Sequence, residues 1–177
     1  MQNRVGISKV ITEVKPPKKR GDKVITNLIE KELKKYEKDI NNIKENKTID
    51  CVTIFSNSNE DYDILNNELA NNRIIDKMTS GNLYLLNKPI ETIYGELSFI
   101  KVRKHDDNYN NYRISVDYIV DDYENFKNKI NNPIIKKYDT FELIQFKKYD
   151  TFELIQFKND DSIINVISLS AKDDYKI

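Results

Sequence analysis

His105 is the one histidine in the sequence, and it stands next to two carboxylates, Asp106 and Asp107. An imidazole beside carboxylates could hold a metal ion, or the carboxylates could raise the histidine pKa so that the ring donates a proton. Neighbouring side chains point in different directions, however, and the stretch KHDDNYNNY has the polar composition of a solvated loop. We interpret His105 as a loop residue and keep it as a candidate metal ligand.

Nucleophilic catalysis finds little support in the sequence. A Ser-His-acid or Cys-His arrangement would need the same His105, and no serine stands in a nucleophile-elbow context. The single cysteine, Cys51, lies in a β-branched run, which predicts a small buried hydrophobic residue. The glycines are too far apart along the chain to form a loop that cradles a phosphate; they are Gly6, Gly21, Gly81 and Gly95.

Three carboxylates, Asp117, Asp121 and Asp122, lie close together in the sequence and could bind a hard cation. Asp121 and Asp122 also precede a predicted helix, where a negative charge stabilises the helix dipole by ~0.3–1 kcal/mol. Helix capping explains these two residues without a ligand. We therefore predict no metal and no other cofactor, and we name Glu96, Asp117 and His105 as the candidates should a metal be present.

The first 23 residues are basic, with seven Lys and Arg side chains against two acidic ones, so the rest of the chain is acidic. Clustered cations on a flexible segment gain free energy on nucleic acid by releasing counterions. The cluster carries no aromatic side chain for base stacking, which favours a solvated arm over a nucleic-acid-binding arm. The candidates for contacts with nucleic acid or a partner are Lys15, Lys18, Lys19, Arg20 and Lys23.

An amphipathic helix is predicted over residues 24–47, after a basic flexible arm at 1–23. Its apolar residues recur at steps of three and four, as on one face of a helix. The stripe consists of Ile25, Ile29, Leu33, Tyr36, Ile40 and Ile43. It is short for a coiled coil, so we expect it to pack on its own domain.

From residue 48 onward the pattern changes to a strand, a helix and three strands, and this order then occurs a second time. The first set is IDCVTIFSN, SNEDYDILNNELANN, RIIDKM, GNLYLLN and GELSFIKVRK; the second is RISVDYIV, DDYENFKNKI, IIKKYD, FELIQF and IINVISLS. These patterns predict an α+β domain over 48–177, with tandem βαβββ modules at about 48–104 and 112–170 and a curved, antiparallel-rich sheet.

The tandem order, together with stretches such as GELSFIKVRK, SVDYIVDDYENFK and KKYDTFELIQF, resembles the vicinal oxygen chelate superfamily of glyoxalases, bleomycin-resistance proteins and extradiol dioxygenases. The resemblance implies two cupped modules around a cavity, with a divalent metal held by His, Gln or Glu on the first and last strands of each module. Here the first strands offer Cys51, Thr53, Ser115 and Asp117, and the last strands offer Glu96, Ser98, Asn165 and Ser168. Since none is a histidine, the resemblance implies a member without the usual metal site.

The sequence KKYDTFELIQF occurs twice in succession, at 136–146 and 147–157. If the copies form a hairpin, Phe141 would face Phe157, Leu143 would face Ile155 and Gln145 would face Glu153. Copy one could also take the place of copy two in the sheet, because alternatives with similar apolar faces specify register weakly. We interpret the repeat as a tolerated duplication whose FELIQF strand favours pairing at a sheet edge.

The composition predicts one soluble domain: 33% of residues are charged and 38% hydrophobic, and no apolar run is long enough for a membrane span. A lone cysteine allows no intramolecular disulfide. We expect a cytoplasmic protein, or a nuclear one in a eukaryotic host, that binds a small ligand or a protein without catalysis and forms a homodimer through a sheet edge. The alternatives are a metal-dependent lyase, isomerase or dioxygenase of the vicinal oxygen chelate type, and a nucleic-acid-associated protein acting through its arm.

Overall fold

The described residues form a single mixed sheet of eight strands with four helices. A computed structural model describes residues 21–131, 142–148 and 152–177. The elements are α1 (Gly21–Asn42), β1 (Lys47–Phe55), α2 (Asn59–Glu68), β2 (Arg73–Met78), β3 (Gly81–Thr92), β4 (Gly95–Arg103), β5 (Ile114–Val120), α3 (Tyr123–Asn131), β6 (Glu142–Lys148), β7 (Glu153–Lys158), β8 (Ile163–Ile167) and α4 (Ala171–Asp174).

The strands follow the order β2-β3-β4-β1-β5-β8-β7-β6. Each βαβββ module therefore pairs its first strand in parallel with its last, β1 with β4 and β5 with β8. The modules join through the antiparallel pair β1 and β5, so the strand order of one half mirrors that of the other. The predicted α+β class with tandem βαβββ modules behind an N-terminal helix is confirmed.

Helix α1 packs on the sheet of its own domain, as its apolar stripe predicts. All six stripe residues are buried and belong to one core cluster with strand residues such as Val52, Val116 and Val166. The helix begins three residues before the predicted start and ends at Asn42, because Lys47 already pairs with Val120 in the sheet. Lys23 is exposed in the first turn of α1, whereas Lys15, Lys18, Lys19 and Arg20 lie outside the described residues.

The helices of the two modules cover the same sheet face as α1. Ser58 caps α2 by accepting a hydrogen bond from the Asp61 backbone N–H at 3.0 Å. Asp122 accepts one from Asn125 N–H at 3.0 Å, which confirms the predicted capping of α3. Their buried residues join the core cluster of α1; they are Leu65, Leu69, Phe126 and Ile130.

The two copies of the repeat form the hairpin β6–β7, but the predicted register is wrong. Leu143 pairs with Phe157 rather than Ile155, and Gln145 pairs with Gln156 rather than Glu153; Phe141 lies outside the described residues. The register differs because β6 continues through Lys148, which pairs with Glu153 and leaves a short connection. A bulge between Leu143 and Gln145 then shifts the far end of the pair.

No helix among the described residues is both long enough and apolar enough to span a membrane.

Candidate functional site

Alternation along the strands divides the sheet into two faces of different character. Val52 and Ile54 of β1 belong to the core beneath α1, α2 and α3, whereas Cys51 belongs to a second cluster with Leu83 and Phe99. Successive side chains of a strand point to opposite faces, so this second cluster lies on the side away from those three helices. We call this side the open face.

A row of paired residues crosses the open face from one module to the other. Consecutive partners lie opposite each other in register across five neighbouring strand pairs. This central row consists of Leu85, Phe99, Cys51, Asp117, Asn165 and Gln156. Its half in the first module is apolar, and its half in the second module is polar.

The polar half is a directed chain of hydrogen bonds. Gln156 Nε2 donates to Asn165 Oδ1 at 3.0 Å, and Asn165 Nδ2 donates to Asp117 Oδ1 at 2.6 Å. Burial raises the pKa of Asp117 to about 6, although the hydrogen bond from Asn165 acts in the opposite direction. Asp117 Oδ2 accepts no hydrogen bond from the described residues, so this oxygen is available to a ligand.

A second row lies two residues further along the same strands and consists of Lys101, Thr53 and Ser115, which are again partners in register. Lys101 is half-buried, and its Nζ donates to Met78 Sδ at 3.2 Å. A thioether is a weak acceptor for an ammonium group. Burial, followed by the charge of Arg103, lowers the pKa of Lys101. Within the described ranges no carboxylate lies within ion-pair distance of this ammonium group.

The C-terminal turn packs against the apolar end of the open face. Ala171 N–H donates to Asp50 Oδ2 at 2.9 Å, and the Tyr175 hydroxyl donates to Asp76 Oδ2 at 2.8 Å. Burial raises the pKa of Asp50 to about 6. Cys51 beneath this turn is buried, which confirms the predicted small buried hydrophobic residue, and burial raises the pKa of its thiol.

The three candidate metal ligands lie apart. Glu96 is near the start of β4, opposite Glu91, and His105 follows the end of that strand, so about 25–30 Å of strand separates them. His105 contacts Ser56 O through Nδ1 at 3.1 Å and Asp107 through Nε2 at 3.2 Å. Asp117 lies between these positions in the central row.

A divalent metal does not fit the residues of the open face. Among the residues that the structure places, no three His, Cys, Asp or Glu side chains form a group able to hold an ion. The first and last strands bring together one carboxylate, one amide and one ammonium group at Asp117, Asn165 and Lys101. An ammonium group repels a cation, and a single carboxylate is a poor site for one.

A separate cleft of about 460 Å³ lies beside α1, between the end of α2 and strand β3. Thr26, Leu69 and Leu86 line it, together with Asn87. Asn87 hydrogen-bonds through its backbone N–H to Asn72 Oδ1 at 2.9 Å and through its side-chain amide to Asn71 O at 2.5 Å. Because these donors already join β3 to the end of α2, we interpret the cleft as a packing groove.

The sequence did not single out Lys101 or Gln156. A polar residue between two buried apolar neighbours in a predicted strand is the signal that marks both: Ile100 and Val102 flank Lys101, and Ile155 and Phe157 flank Gln156. Such alternation is common at any solvated sheet face. Only the strand order brings Gln156 into line with Asp117, and Lys101 into line with Thr53 and Ser115.

No protein-family model matches the chain, and no curated protein sequence matches it. Among solved structures, the structural-genomics protein EC4020 is similar with a TM-score of 0.64 at 9% identity, over 88% of this chain and 91% of that one. A glyoxalase/bleomycin resistance protein/dioxygenase superfamily member from Vibrio splendidus 12B01 has a TM-score of 0.40 at 12% identity, over 68% of this chain and 97% of that one. The similarity to EC4020 concerns the fold, and the looser similarity to the superfamily member carries no inference about activity.

Proposed function

We propose that the chain is a non-catalytic ligand-binding domain and that the open face is its binding surface. The observation that carries this proposal is the central row. Asn165 donates to one oxygen of Asp117 and is itself held by Gln156, while the other Asp117 oxygen accepts no hydrogen bond from the described residues. A binding site combines a few polar groups of fixed orientation with apolar walls. Here the partly buried Leu85 and the C-terminal turn that covers Leu83 and Phe99 border the polar half of the row.

The chemistry of the donors supports binding rather than metal-assisted catalysis. Resemblance to the vicinal oxygen chelate superfamily would place metal ligands on β1, β4, β5 and β8. This chain instead has an ammonium group on β4, which cannot bind a cation, and an amide on β8 whose oxygen already accepts a hydrogen bond from Gln156. These residues can orient a polar ligand.

The test is to map binding with backbone amide resonances of the full chain. A collection of small metabolites is titrated, and we expect hits to shift the resonances of Lys101, Asp117, Asn165 and Gln156. Ligands that shift only Leu69, Leu86 and Asn87 would move the site to the helix-side cleft and refute the proposal. A collection that shifts no resonance of the open face would refute it as well.

Metal analysis of the purified protein tests the enzyme alternative. We expect no stoichiometric divalent metal, and no shift of open-face resonances on titration with Zn²⁺ or Ni²⁺. One equivalent of metal that a chelator removes, together with loss of that metal in Asp117→Asn, would favour the vicinal oxygen chelate type of enzyme. Glu96→Gln serves as the control, because Glu96 lies at the far end of β4.

A further inference from the structure

The C-terminal turn covers half of the open face. It leaves β8 in the second module and reaches β1 and β2 in the first, and we call its residues 170–177 the strap. Ala171 and Tyr175 of the strap pack on three buried side chains, which are Cys51, Leu83 and Phe99. The strap therefore occupies the apolar half of the central row, where an apolar group of a ligand would otherwise lie.

The attachment of the strap to the sheet is slight. In the described part of the chain two hydrogen bonds join it to the strands, one to Asp50 and one to Asp76, and no ion pair does. Its other hydrogen bonds lie within the turn, as from Asp174 N–H to Ser170 O at 2.9 Å. A segment held by so few contacts opens at a lower free energy than the whole fold.

The carboxylate beneath the strap also disfavours closure. Asp50 is buried, and burial, with a further contribution from the charge of Asp173, raises its pKa to about 6, although the hydrogen bond from Ala171 acts in the opposite direction. A carboxylate that is buried beside a like charge favours a state in which water reaches it. Opening of the strap would therefore remove a cost that closure imposes.

We infer that the strap is an autoinhibitory element, which opens while the rest of the sheet stays folded and must open before a ligand can occupy the full central row. This inference rests on the proposed function of the open face and adds a regulation to it. When the competent state is only a fraction of the molecules, the apparent affinity of a ligand is reduced by that fraction. A change that loosens the strap should therefore tighten ligand binding by the same factor.

Cys51 can report the opening directly. It is the one cysteine in the sequence, and it is only 6% exposed beneath the strap. A thiol reagent such as dithiodipyridine reaches it when the strap opens or when the whole fold opens. The two routes differ in urea, because local opening exposes little surface and depends weakly on urea, whereas global unfolding has the full dependence of the equilibrium transition.

The first experiment labels Cys51 in the unaltered full chain at increasing urea concentrations below the unfolding transition. We expect labelling at least about tenfold faster than global unfolding allows, with little dependence on urea. Labelling with the urea dependence of global unfolding would overturn the inference, since the strap would then open only together with the whole fold.

A matched pair of tyrosine variants tests the contact that holds the strap. Tyr175→Phe removes the hydrogen bond to Asp76 and keeps the ring, so we expect Cys51 to label about tenfold faster. Tyr112→Phe also removes a tyrosine hydroxyl bond, to Asn159 O at 3.0 Å, but in a different cluster, and should leave labelling unchanged. Equal acceleration in both variants, or none in Tyr175→Phe, would overturn the inference.

A titration with 4-methylphenol tests the inhibitory role, because this probe has the ring and hydroxyl of Tyr175 and can take their place on the open face. Binding to the full chain is followed by the amide resonances of Cys51, Leu83 and Phe99. We expect Tyr175→Phe to bind the probe more tightly than the unaltered chain by the factor found for labelling, and Tyr112→Phe to bind it equally. Unchanged affinity in Tyr175→Phe, despite faster labelling, would refute the inhibitory role.

The strap and the proposed function can fail separately. Labelling of Cys51 through global unfolding alone would overturn the strap, while metabolites that shift the resonances of Asp117, Asn165 and Gln156 would still support ligand binding. Local opening in a chain whose open face binds neither metabolites nor 4-methylphenol would refute the proposed function and, with it, the inhibitory role.

Discussion

A partly buried carboxylate in the middle of the open face, Asp117, lowers the stability of the fold at neutral pH. Burial raises the pKa of Asp117 to about 6, so the folded state binds this proton more tightly than the unfolded state does. The stabilisation from the proton is fully present below about pH 4 and is lost as the pH rises through about 6. Asp50 shows the same direction for the same reason. Carboxylates held at such a cost are typical of functional sites.

We therefore expect Asp117→Asn to be more stable than the unaltered protein at pH 7.5, by up to about 3 kcal/mol. Asparagine keeps an oxygen that can accept the hydrogen bond from Asn165, and it carries no charge to bury. Urea unfolding at pH 4, 5, 6 and 7.5 measures the effect, and the decrease in stability between pH 4 and 6 should become shallower, leaving the part due to Asp50. The exposed Asp63→Asn is the control. A variant that is equally or less stable at pH 7.5 would contradict the assignment.

The burial or structural role of a residue was predictable from the sequence where a single strand or helix determines its surroundings. The burial of Cys51 and the cap formed by Asp122 follow from local patterns, and the structure confirms both. The alignment of Lys101 with Thr53 and Ser115 depends on which strands are neighbours. Strand β4 is next to β1 although α2, β2 and β3 lie between them in the chain. No local pattern encodes that pairing.

At the scale of elements, the repeat supplies two strands with different environments from one sequence. Copy two is β7, paired on both sides by β6 and β8, and its Ile155 and Phe157 are fully buried. Copy one is β6, the outermost described strand on that side of the sheet. The hairpin was predictable because identical amphipathic strands can pair. Its register was not, because it depends on how far β6 extends before the turn.

Deleting residues 147–157 should leave a folded protein. The remaining copy would continue directly into Lys158 and restore the sequence ELIQFK of β7, so the same apolar side chains would reach the core. The strand predicted at IIKKYD, outside the described residues, would be free to take the edge position. Circular dichroism and thermal melting measure the result, and a variant without a cooperative transition would show that both copies are required.

Two alanine variants identify which copy occupies the core. Phe157→Ala should cost about 3–5 kcal/mol in the full chain, since it removes a fully buried ring that contacts Phe126. Phe146→Ala in the edge strand should cost much less. In the shortened chain Phe146→Ala should become as damaging as Phe157→Ala was. Equal effects of the two substitutions in the full chain would contradict the placement of copy two as β7.

Among the described strands, β2 and β6 are the two outermost strands of the sheet. An edge strand presents backbone groups that can pair with another chain. Each strand carries three charged residues, but those of β6 lie at its ends and leave the uncharged run LIQF between them, whereas Asp76 and Lys77 interrupt β2. We propose that the chain forms a symmetric dimer through β6, with the strands of two copies antiparallel.

Sedimentation velocity over a wide range of concentrations tests this association. We expect a concentration-dependent dimer that Ile144→Lys abolishes, because the change places one added charge on each of the facing strands. Ile74→Lys in β2 is the matched control and should leave the dimer intact. Loss of the dimer only in Ile74→Lys would assign the contact to β2, and a monomer at every concentration would refute the proposal.

The two halves of the sheet have mirrored strand orders, yet equivalent positions of the central row differ in chemistry: Cys51 corresponds to Asp117, Phe99 to Asn165 and Leu85 to Gln156. If the two halves were chemically identical, an asymmetric ligand could bind the open face in two equivalent orientations, related by a half-turn about the junction of β1 and β5. In this chain the two poses would differ, because one of them would place an apolar group against the amides of Asn165 and Gln156. The strand order is close to twofold symmetric, whereas the side chains of the central row are not, so any ligand that the open face binds would meet two chemically different halves.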